Sequence, residues 1–359
     1  MIFEKIWERY FLKEFTKVFF LFILAFFFLY VLIDYSTHSS LFSKGDISLL
    51  EVCLYYIFHF IKRAEVLLAF ALLLASNKVL CSANTNNELV ALLVGGVKLK
   101  TLLRPFFFLA ALCVCFLYLN FEFISPKALS VLEEFKELHL SENGAFKQKE
   151  SVHEVNLRDN TTMIYQKYDS TLRAFFDVYW ILSSDQIMRI KYLFPYTKHP
   201  VGRFVDHLIR NTEGKFILFE SFDEKIFSDM CFDEELLRVT LQPPDQQSLS
   251  QLWRSLPVEK KKLTDKEAQV LTTFYRKAGI PLVCFLVIIG PAPFCMRFNR
   301  RLRVFLIYSV SLFVLVTFFT IMDAASILGE SQVFSPLFAV GMPLLCFYGI
   351  FSYFFWRLN

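Results

Sequence analysis

The sequence predicts an α-helical membrane protein with six transmembrane helices and an all-β domain inserted between helices three and four. Two observations lead to this fold class. Hydrophobic side chains make up 55% of the 359 residues, and 44 residues are phenylalanine, more than the core of a water-soluble protein of this size can bury. These apolar residues are also gathered into six blocks, three on each side of one long polar stretch.

Each apolar block is long enough to cross a bilayer. The six blocks are residues 15–33, 66–83, 102–121, 274–296, 304–322 and 336–356. At about 1.5 Å per residue, each helix can span roughly 30 Å of hydrocarbon. We therefore predict three regions: residues 1–126 with helices one to three, a domain over residues 127–270, and residues 271–359 with helices four to six.

The first residues predict a retained amphipathic segment before the first span. Apolar residues recur at helical spacing among Ile6, Trp7, Tyr10 and Phe11, with charged residues on the other face. Such a helix would lie in the headgroup plane and then turn into the membrane. The alternative is an ordinary charged flank. No small-residue cleavage site follows the first block, so we interpret this region as an anchor and not a signal peptide.

Basic residues in the short connections predict the orientation. On the side of the termini they are Lys5, Arg9, Lys13, Lys17, Lys98, Lys100, Arg104, Arg297, Arg300, Arg301, Arg303 and Arg357. The opposite short connections offer Lys44, and residues 323–335 contain no Lys or Arg. Since Lys and Arg concentrate on the cytoplasmic side, we expect cytoplasmic termini and a polar domain on the outer, periplasmic side.

The polar stretch has the pattern of a β domain. Alternating or β-rich runs occur at residues 162–168, 172–182, 186–194, 203–209, 215–222 and 236–241, with polar breaks between them. This spacing favours an antiparallel sandwich or an open barrel. Residues 126–140 precede it as a short amphipathic helix, and residues 249–270 follow as a helical return.

The sequence offers no catalytic constellation. Its six histidines do not form a zinc-hydrolase motif, and the Gly95-Gly96 pair is not followed by the Lys-Ser or Lys-Thr of a phosphate-binding loop. The near balance of 38 basic and 34 acidic residues gives no reason to expect nucleic-acid binding. We expect a non-enzymatic chain without a cofactor or metal of its own, which draws any energy it uses from a partner.

The connection between spans two and three, residues 84–98, predicts a short helix with an apolar stripe. Leu89, Leu92, Leu93 and Gly96 follow the i, i+3, i+4, i+7 pattern, and Glu88 falls in the first turn, where the helix dipole favours an acid. The glycines offer a C-terminal stop or a close contact. By itself the stripe fits a protein partner and the bilayer surface equally well.

Two basic residues just before the second apolar block are predicted to lie at the outer surface of the membrane. A single helix over residues 49–83 would be about 52 Å long, so its first part should project beyond the outer leaflet. This length places Lys62 and Arg63 near the outer headgroups. Ordinary interfacial anchoring is the alternative explanation for each base.

Several short motifs resemble the LptF/LptG permease family, whose paired transmembrane subunits belong to the ABC transporter that extracts lipopolysaccharide from the inner membrane. The resemblance covers essentially the whole chain. The matching segments are residues 8–12, 88–96, 123–126 and 274–281. One departure is Ala69, which stands in the middle of span two, where the family carries a proline.

The resemblance implies a function and a set of partners. Residues 127–270 would form a periplasmic β-jellyroll, and residues 84–98 would hold the coupling helix, with Glu88, Leu89, Leu92, Leu93 and Gly96 docking on an LptB-like cytoplasmic ATPase dimer. That dimer would bind ATP. The other implied partners are a second LptF/LptG-type permease, LptC/LptA-like bridge proteins and lipopolysaccharide, and the location would be the inner membrane.

Lipopolysaccharide carries phosphates beside acyl chains, so its cavity needs apolar walls and a few bases at outer-leaflet height. The candidate bases are Lys44, Lys62, Arg63, Arg276 and Lys277. A competing hypothesis is a membrane sensor or mechanotransmission protein, whose outer domain binds a protein partner and whose cytoplasmic helix signals. A proteolytic enzyme is a more distant alternative.

Overall fold

The computed structural model describes two compact units, a helical unit of residues 1–140 and 244–359 and a sheet unit of residues 141–243. The described residues are 5–44, 49–140, 153–156, 161–169, 172, 174–195, 199–211, 214–227, 230, 243–256, 263, 265–297 and 304–357. Residues 127–140 and 244–270, which the sequence analysis assigned to the polar domain, thus group with the helices.

Six helical stretches of the helical unit are long and apolar enough to cross a membrane, as predicted. They are Ile6–Thr37, Glu51–Thr85, Arg104–Leu132, Glu267–Cys295, Val304–Glu330 and Pro336–Trp356. With the sheet between the third and the fourth, they confirm the predicted fold class.

The first three spans and their connection contain six α-helices. These are α1 (Ile6–Lys44), α2 (Leu49–Thr85), α3 (Glu88–Val94), α4 (Leu99–Leu102), α5 (Arg104–Leu119) and α6 (Ser125–Leu140). Among the described residues, α1 is continuous from Ile6 to Lys44, so the expected turn between an interfacial helix and the first span does not occur after Ile6. A π-helical turn, Asn120–Ile124, joins α5 to α6.

The described residues of the second half of the helical unit form six further α-helices. These are α7 (Leu249–Arg254), α8 (Asp265–Gly279), α9 (Val283–Ile289), α10 (Ala292–Cys295), α11 (Val304–Glu330) and α12 (Pro336–Trp356). A 3₁₀ turn, Ile280–Leu282, separates α8 from α9, and Pro281 lies within it. Proline has no backbone N–H to donate, so the regular helix is interrupted there.

Helix α2 forms the centre of the helical unit because one of its faces carries small side chains. The fully or almost fully buried small residues of α2 are Ala64, Ala69, Ala71, Ala75, Ser76 and Ala83. Small residues let neighbouring backbones approach closely. Inside a bilayer the hydrophobic effect does not drive helices together, because lipid tails are as apolar as the side chains, so helices associate through such close packing. Ala69 lies within this continuous helix.

The sheet unit contains six described strands in one antiparallel sheet. They are β1 (His153–Asn156), β2 (Thr162–Asp169), β3 (Ala174–Ser183), β4 (Gln186–Phe194), β5 (Val201–Arg210) and β6 (Phe216–Ile226). Each strand pairs with its neighbours in the chain, so the order is β1-β2-β3-β4-β5-β6. The sequence had left this order open.

One face of the sheet carries the apolar core. Tyr165 lies opposite Val178, Val178 opposite Ile190, and Ile190 opposite Val205, and all four residues are buried. Directly opposed side chains on one face are the unit of packing in a sheet. Burial raises the pKa of Tyr165 to about 12, so its phenol stays neutral in this core.

Candidate coupling helix and charged cluster

The connection between α2 and α5 lies at the end of the helical unit that carries both chain termini, which we call the termini end. The Tyr10 hydroxyl donates to Glu88 Oε1 at 3.4 Å, and Lys100 Nζ donates to the carbonyl oxygen of Trp356 at 3.2 Å. The first turns of α1 and the last turn of α12 therefore both contact this connection.

Helix α3 is bounded by two residues in left-handed backbone conformation. Asn87 precedes it with φ 60°, and Gly96 follows it with φ 81°. The amide of Val97 donates to Leu92 O at 3.0 Å and that of Gly96 to Leu93 O at 2.9 Å. This pair of bonds is a Schellman motif, which needs the left-handed residue that glycine supplies at least cost. Gly96 is therefore the helix stop, one of the two roles expected for it.

The apolar stripe of α3 faces the rest of the helical unit. Leu89 is 0% exposed, and Leu92 and Leu93 are half-buried against the core that includes α2. The exposed positions of α3 are Val90, Ala91 and Val94, and Val94 is 84% exposed. Of the predicted coupling residues, Glu88 is half-buried and Gly96 is exposed. The stripe thus anchors α3, and the valine face is the one available to a partner.

Asparagine side chains hold the termini end together. Asn84 Nδ2 donates to the carbonyl oxygens of Cys295 and Arg297, at 2.7 and 3.0 Å. Asn77, which is fully buried, donates from Nδ2 to Ser311 Oγ at 2.7 Å. These bonds join α2 to α10 and α11.

The half of the helical unit away from the termini, which we call the far half, contains a charged cluster centred on Arg276. One guanidinium nitrogen, Nη2, lies 3.3 Å from Glu65 Oε1 and 3.2 Å from Asp323 Oδ1. The three residues belong to α8, α2 and α11. Arg276, a predicted lipid-binding residue, thus joins three spans through two carboxylates of its own chain.

Lys277, also a predicted lipid-binding residue, is only 7% exposed and holds the chain segment that leads into α7. Its Nζ donates to the carbonyl oxygens of Asp245 and Gln247, both at 2.7 Å. Glu122 accepts from the amide and the hydroxyl of Ser250 in the same segment, the amide bond being 3.0 Å. The two residues clamp residues 245–250 onto the third and fourth spans.

The remaining predicted bases have a different environment. Lys62 and Arg63 are exposed on α2, one helical turn or less from Glu65. Lys44 is the last residue of α1, and its side chain lies outside the described part. The structure therefore brings Arg276 and Lys277 into contacts with their own chain, while the side chains of Lys62 and Arg63 are exposed at the surface of α2.

The sequence analysis gave no role to Glu65, Glu122 or Asp323. Each of these acids directly adjoins a predicted span, and in the structure all three lie in helical stretches that can cross a membrane, where an ionisable residue is costly and usually faces a partner. The partners themselves could not be read from the sequence, since Arg276 is 211 positions from Glu65 and Ser250 is 128 from Glu122.

Comparison with protein families settles which family this architecture represents. The family model described as "Lipopolysaccharide export system permease LptF/LptG" matches residues 9–357. The chain belongs to the LptF/LptG family. No curated protein sequence matches it. The family match and the six apolar helices together make this a multi-pass membrane protein of a lipopolysaccharide export permease family, as the resemblance implied.

Proposed function

We propose that this chain is the permease subunit of an ABC transporter that extracts lipopolysaccharide from the inner membrane and passes it to a periplasmic bridge toward the outer membrane. The family match over residues 9–357 carries the proposal. The chain would pair with a second LptF/LptG-type permease and deliver lipid to LptC/LptA-like proteins. An LptB-like ATPase dimer would bind ATP, and the termini end would face the cytoplasm.

Helix α3 is the proposed contact with the ATPase. Its inner face, with Leu89 fully buried, fixes it to α2, while Val90, Ala91 and Val94 point away from the chain. A short helix that is fixed to its own chain and exposes an apolar face can bind in a hydrophobic groove of a partner protein. A push on α3 would reach α11 through α2 and the Asn77–Ser311 bond. We therefore shift the proposed contact from the leucine stripe to the valine face, with Glu88 at its edge.

The valine face is tested by copurification of the ATPase with the tagged chain, coexpressed from the same genome together with the second permease. Val94→Asp should lower the recovered ATPase about tenfold or more, because a carboxylate would be buried in the apolar contact. Asn86→Asp is the matched control: it adds the same charge in the exposed turn before α3 and should keep the ATPase bound.

If the same amount of ATPase copurifies with Val94→Asp as with the wild type, the contact with the ATPase lies elsewhere. Recovery of the chain with a regulatory protein, and with neither ATPase nor lipopolysaccharide, would favour the sensor hypothesis.

For substrate binding, the proposal retains Lys62 and Arg63 and keeps Lys44 as a third candidate. The two α2 bases are exposed, so their charges can meet lipopolysaccharide phosphates. Arg276 and Lys277 are proposed to organise the far half, because Arg276 Nη2 contacts two carboxylates and Lys277 Nζ donates to two carbonyl oxygens of the same chain.

Photocrosslinking of lipopolysaccharide distinguishes these bases. The double variant Lys62→Gln, Arg63→Gln should lower crosslinking about threefold or more at equal protein level, since two exposed charge contacts are lost. Lys98→Gln, which removes an exposed base at the termini end, is the control and should leave crosslinking unchanged. Equal crosslinking in the double variant and the wild type would remove both bases from the site.

A further inference from the structure

A cavity of about 150 Å³ lies in the helical unit between α2, α9, α10, α11 and α12. Its walls include Leu73, Val287, Phe294, Val314 and Phe351. Ser311 is the one hydroxyl among the described residues that line the cavity. This hydroxyl accepts from Asn77 and donates to the Tyr308 carbonyl oxygen at 3.1 Å. Because its polar group is already bonded, the cavity favours an apolar occupant. Cavities lined by apolar side chains bind apolar molecules in preference to water.

The cavity is elongated along α11. Its lining on this helix runs from Leu306 to Phe318, which corresponds to about 18 Å at the rise of an α-helix. Leu306 and Val310 on α11 and Phe294 on α10 are lining residues that are also exposed at the surface of the helical unit. The cavity is therefore open along this side, and an extended hydrocarbon chain can enter it laterally.

Positive charge lies at the end of the cavity nearest the termini. Arg297 follows the lining residue Phe294 by three positions, and Arg357 directly follows α12, the helix that contributes Phe351. Both arginine side chains are exposed. An apolar slot with arginines at its membrane-surface end is complementary to an anionic lipid, whose phosphate meets the bases while its tail fills the slot.

We propose that this cavity binds one acyl chain of an anionic phospholipid, whose phosphate lies beside Arg297. The lipid is a resident of the termini-side leaflet and is distinct from the transported substrate. It fills the space between the first half of α11 and the spans α2 and α9, where an empty cavity would forfeit dispersion contacts. The inference rests on the helices crossing a membrane and not on the ATPase or on lipopolysaccharide.

The test uses the full chain in nanodiscs that contain phosphatidylglycerol or phosphatidylethanolamine with a diazirine at the end of one acyl chain. After illumination, mass spectrometry of peptides maps the adducts. We expect phosphatidylglycerol adducts concentrated in residues 283–318, on cavity-lining positions. Val314→Phe should reduce these adducts about fivefold, because the ring occupies the slot. The matched control Val316→Phe changes an exposed valine of the same helix that does not line the cavity, and it should keep them.

Arg297→Gln separates the head-group contact from the tail contact. It should bring the yield with phosphatidylglycerol down to that with phosphatidylethanolamine, since only the charge is removed. If Val314→Phe does not purify as a folded protein, Val310→Phe at the exposed rim replaces it. Equal labelling of the wild type and the filled variants overturns the proposal, as does equal labelling of bilayer-facing positions such as Phe313 or exclusive recovery of lipopolysaccharide from the cavity. None of these results bears on ATPase copurification.

Discussion

The termini end and the far half of the helical unit use charge in opposite ways. At the termini end, Arg297, Lys98 and Arg357 are exposed, and asparagine amides make the contacts between helices. In the far half, Arg276, Lys277 and Glu122 make contacts within the chain that join helices and connecting segments. Exposed bases thus characterise the first region, whereas the second uses several of its charged groups as links between helices.

This difference shows that a base at a predicted membrane depth is not evidence of a ligand site by itself. Lys62 and Lys277 are both cations in the far half, yet one is exposed and the other is buried against backbone carbonyls. Burial of a cation is tolerated only where its donors are satisfied, so a buried lysine usually already has its partners. The comparison predicts a graded response to substitution.

The largest effect is expected for Lys277→Met. This change keeps the length of the side chain but leaves the carbonyl oxygens of Asp245 and Gln247 without their shared donor. Each unsatisfied buried acceptor costs about 1–3 kcal/mol, so we expect a loss of about 3 kcal/mol of stability. Thermal unfolding of the detergent-purified chain measures it. Lys98→Met, at an exposed lysine of the termini end, should change stability by less than about 0.5 kcal/mol. Equal losses of stability for Lys277→Met and Lys98→Met would show that lysines in the two regions do not differ in their contribution to stability.

A smaller loss is expected for Arg276→Gln, because the substituted side chain can still donate one hydrogen bond. Glu65, whose side chain is 17% exposed, would lose its counter-charge, and we expect a cost of about 2 kcal/mol. Asp323→Asn should cost less than about 1 kcal/mol, since that carboxylate is 62% exposed and water screens the pair. Comparison of unfolding midpoints for the two variants measures the difference. A larger effect at Asp323 would mean that the link to α11, and not the link to α2, dominates the cluster.

A loss smaller than those of Lys277→Met and Arg276→Gln is expected at the termini end for Gly96→Ala. Gly96 has φ 81°, and a Cβ added there would contact no other atom. Alanine would therefore lower the free energy of unfolding only by the cost of a left-handed backbone conformation, about 1 kcal/mol. We expect a modest fall in the unfolding midpoint and local loosening of residues 94–98, which hydrogen exchange can measure. Gly95→Ala, where φ is −71°, is the matched control and should cost less. A larger loss of stability for Gly95→Ala than for Gly96→Ala would show that the two glycines are needed for close packing and not for helix termination.

The sequence predicted the spans well and their contacts poorly. Apolar blocks and their lengths identified all six candidate membrane helices, and β-rich runs located the inserted sheet, because both signals are local. For α3, the periodicity of Leu89, Leu92 and Leu93 identified the helix and its apolar stripe. It did not reveal that the stripe packs against the same chain, since periodicity is the same whether the neighbour is the chain itself or a partner.

The sequence by itself determined the membrane class, the number of spans, the inserted β region and the family, because hydrocarbon thickness and side-chain periodicity act over short stretches of chain. Only the tertiary structure decided that Val90 and Val94 form the outer face of α3, that Arg276 and Lys277 are engaged within the chain, and that a cavity opens beside α11. The physical reason is that these properties depend on pairs such as Arg276 and Glu65, which are 211 positions apart and meet only when the helices pack.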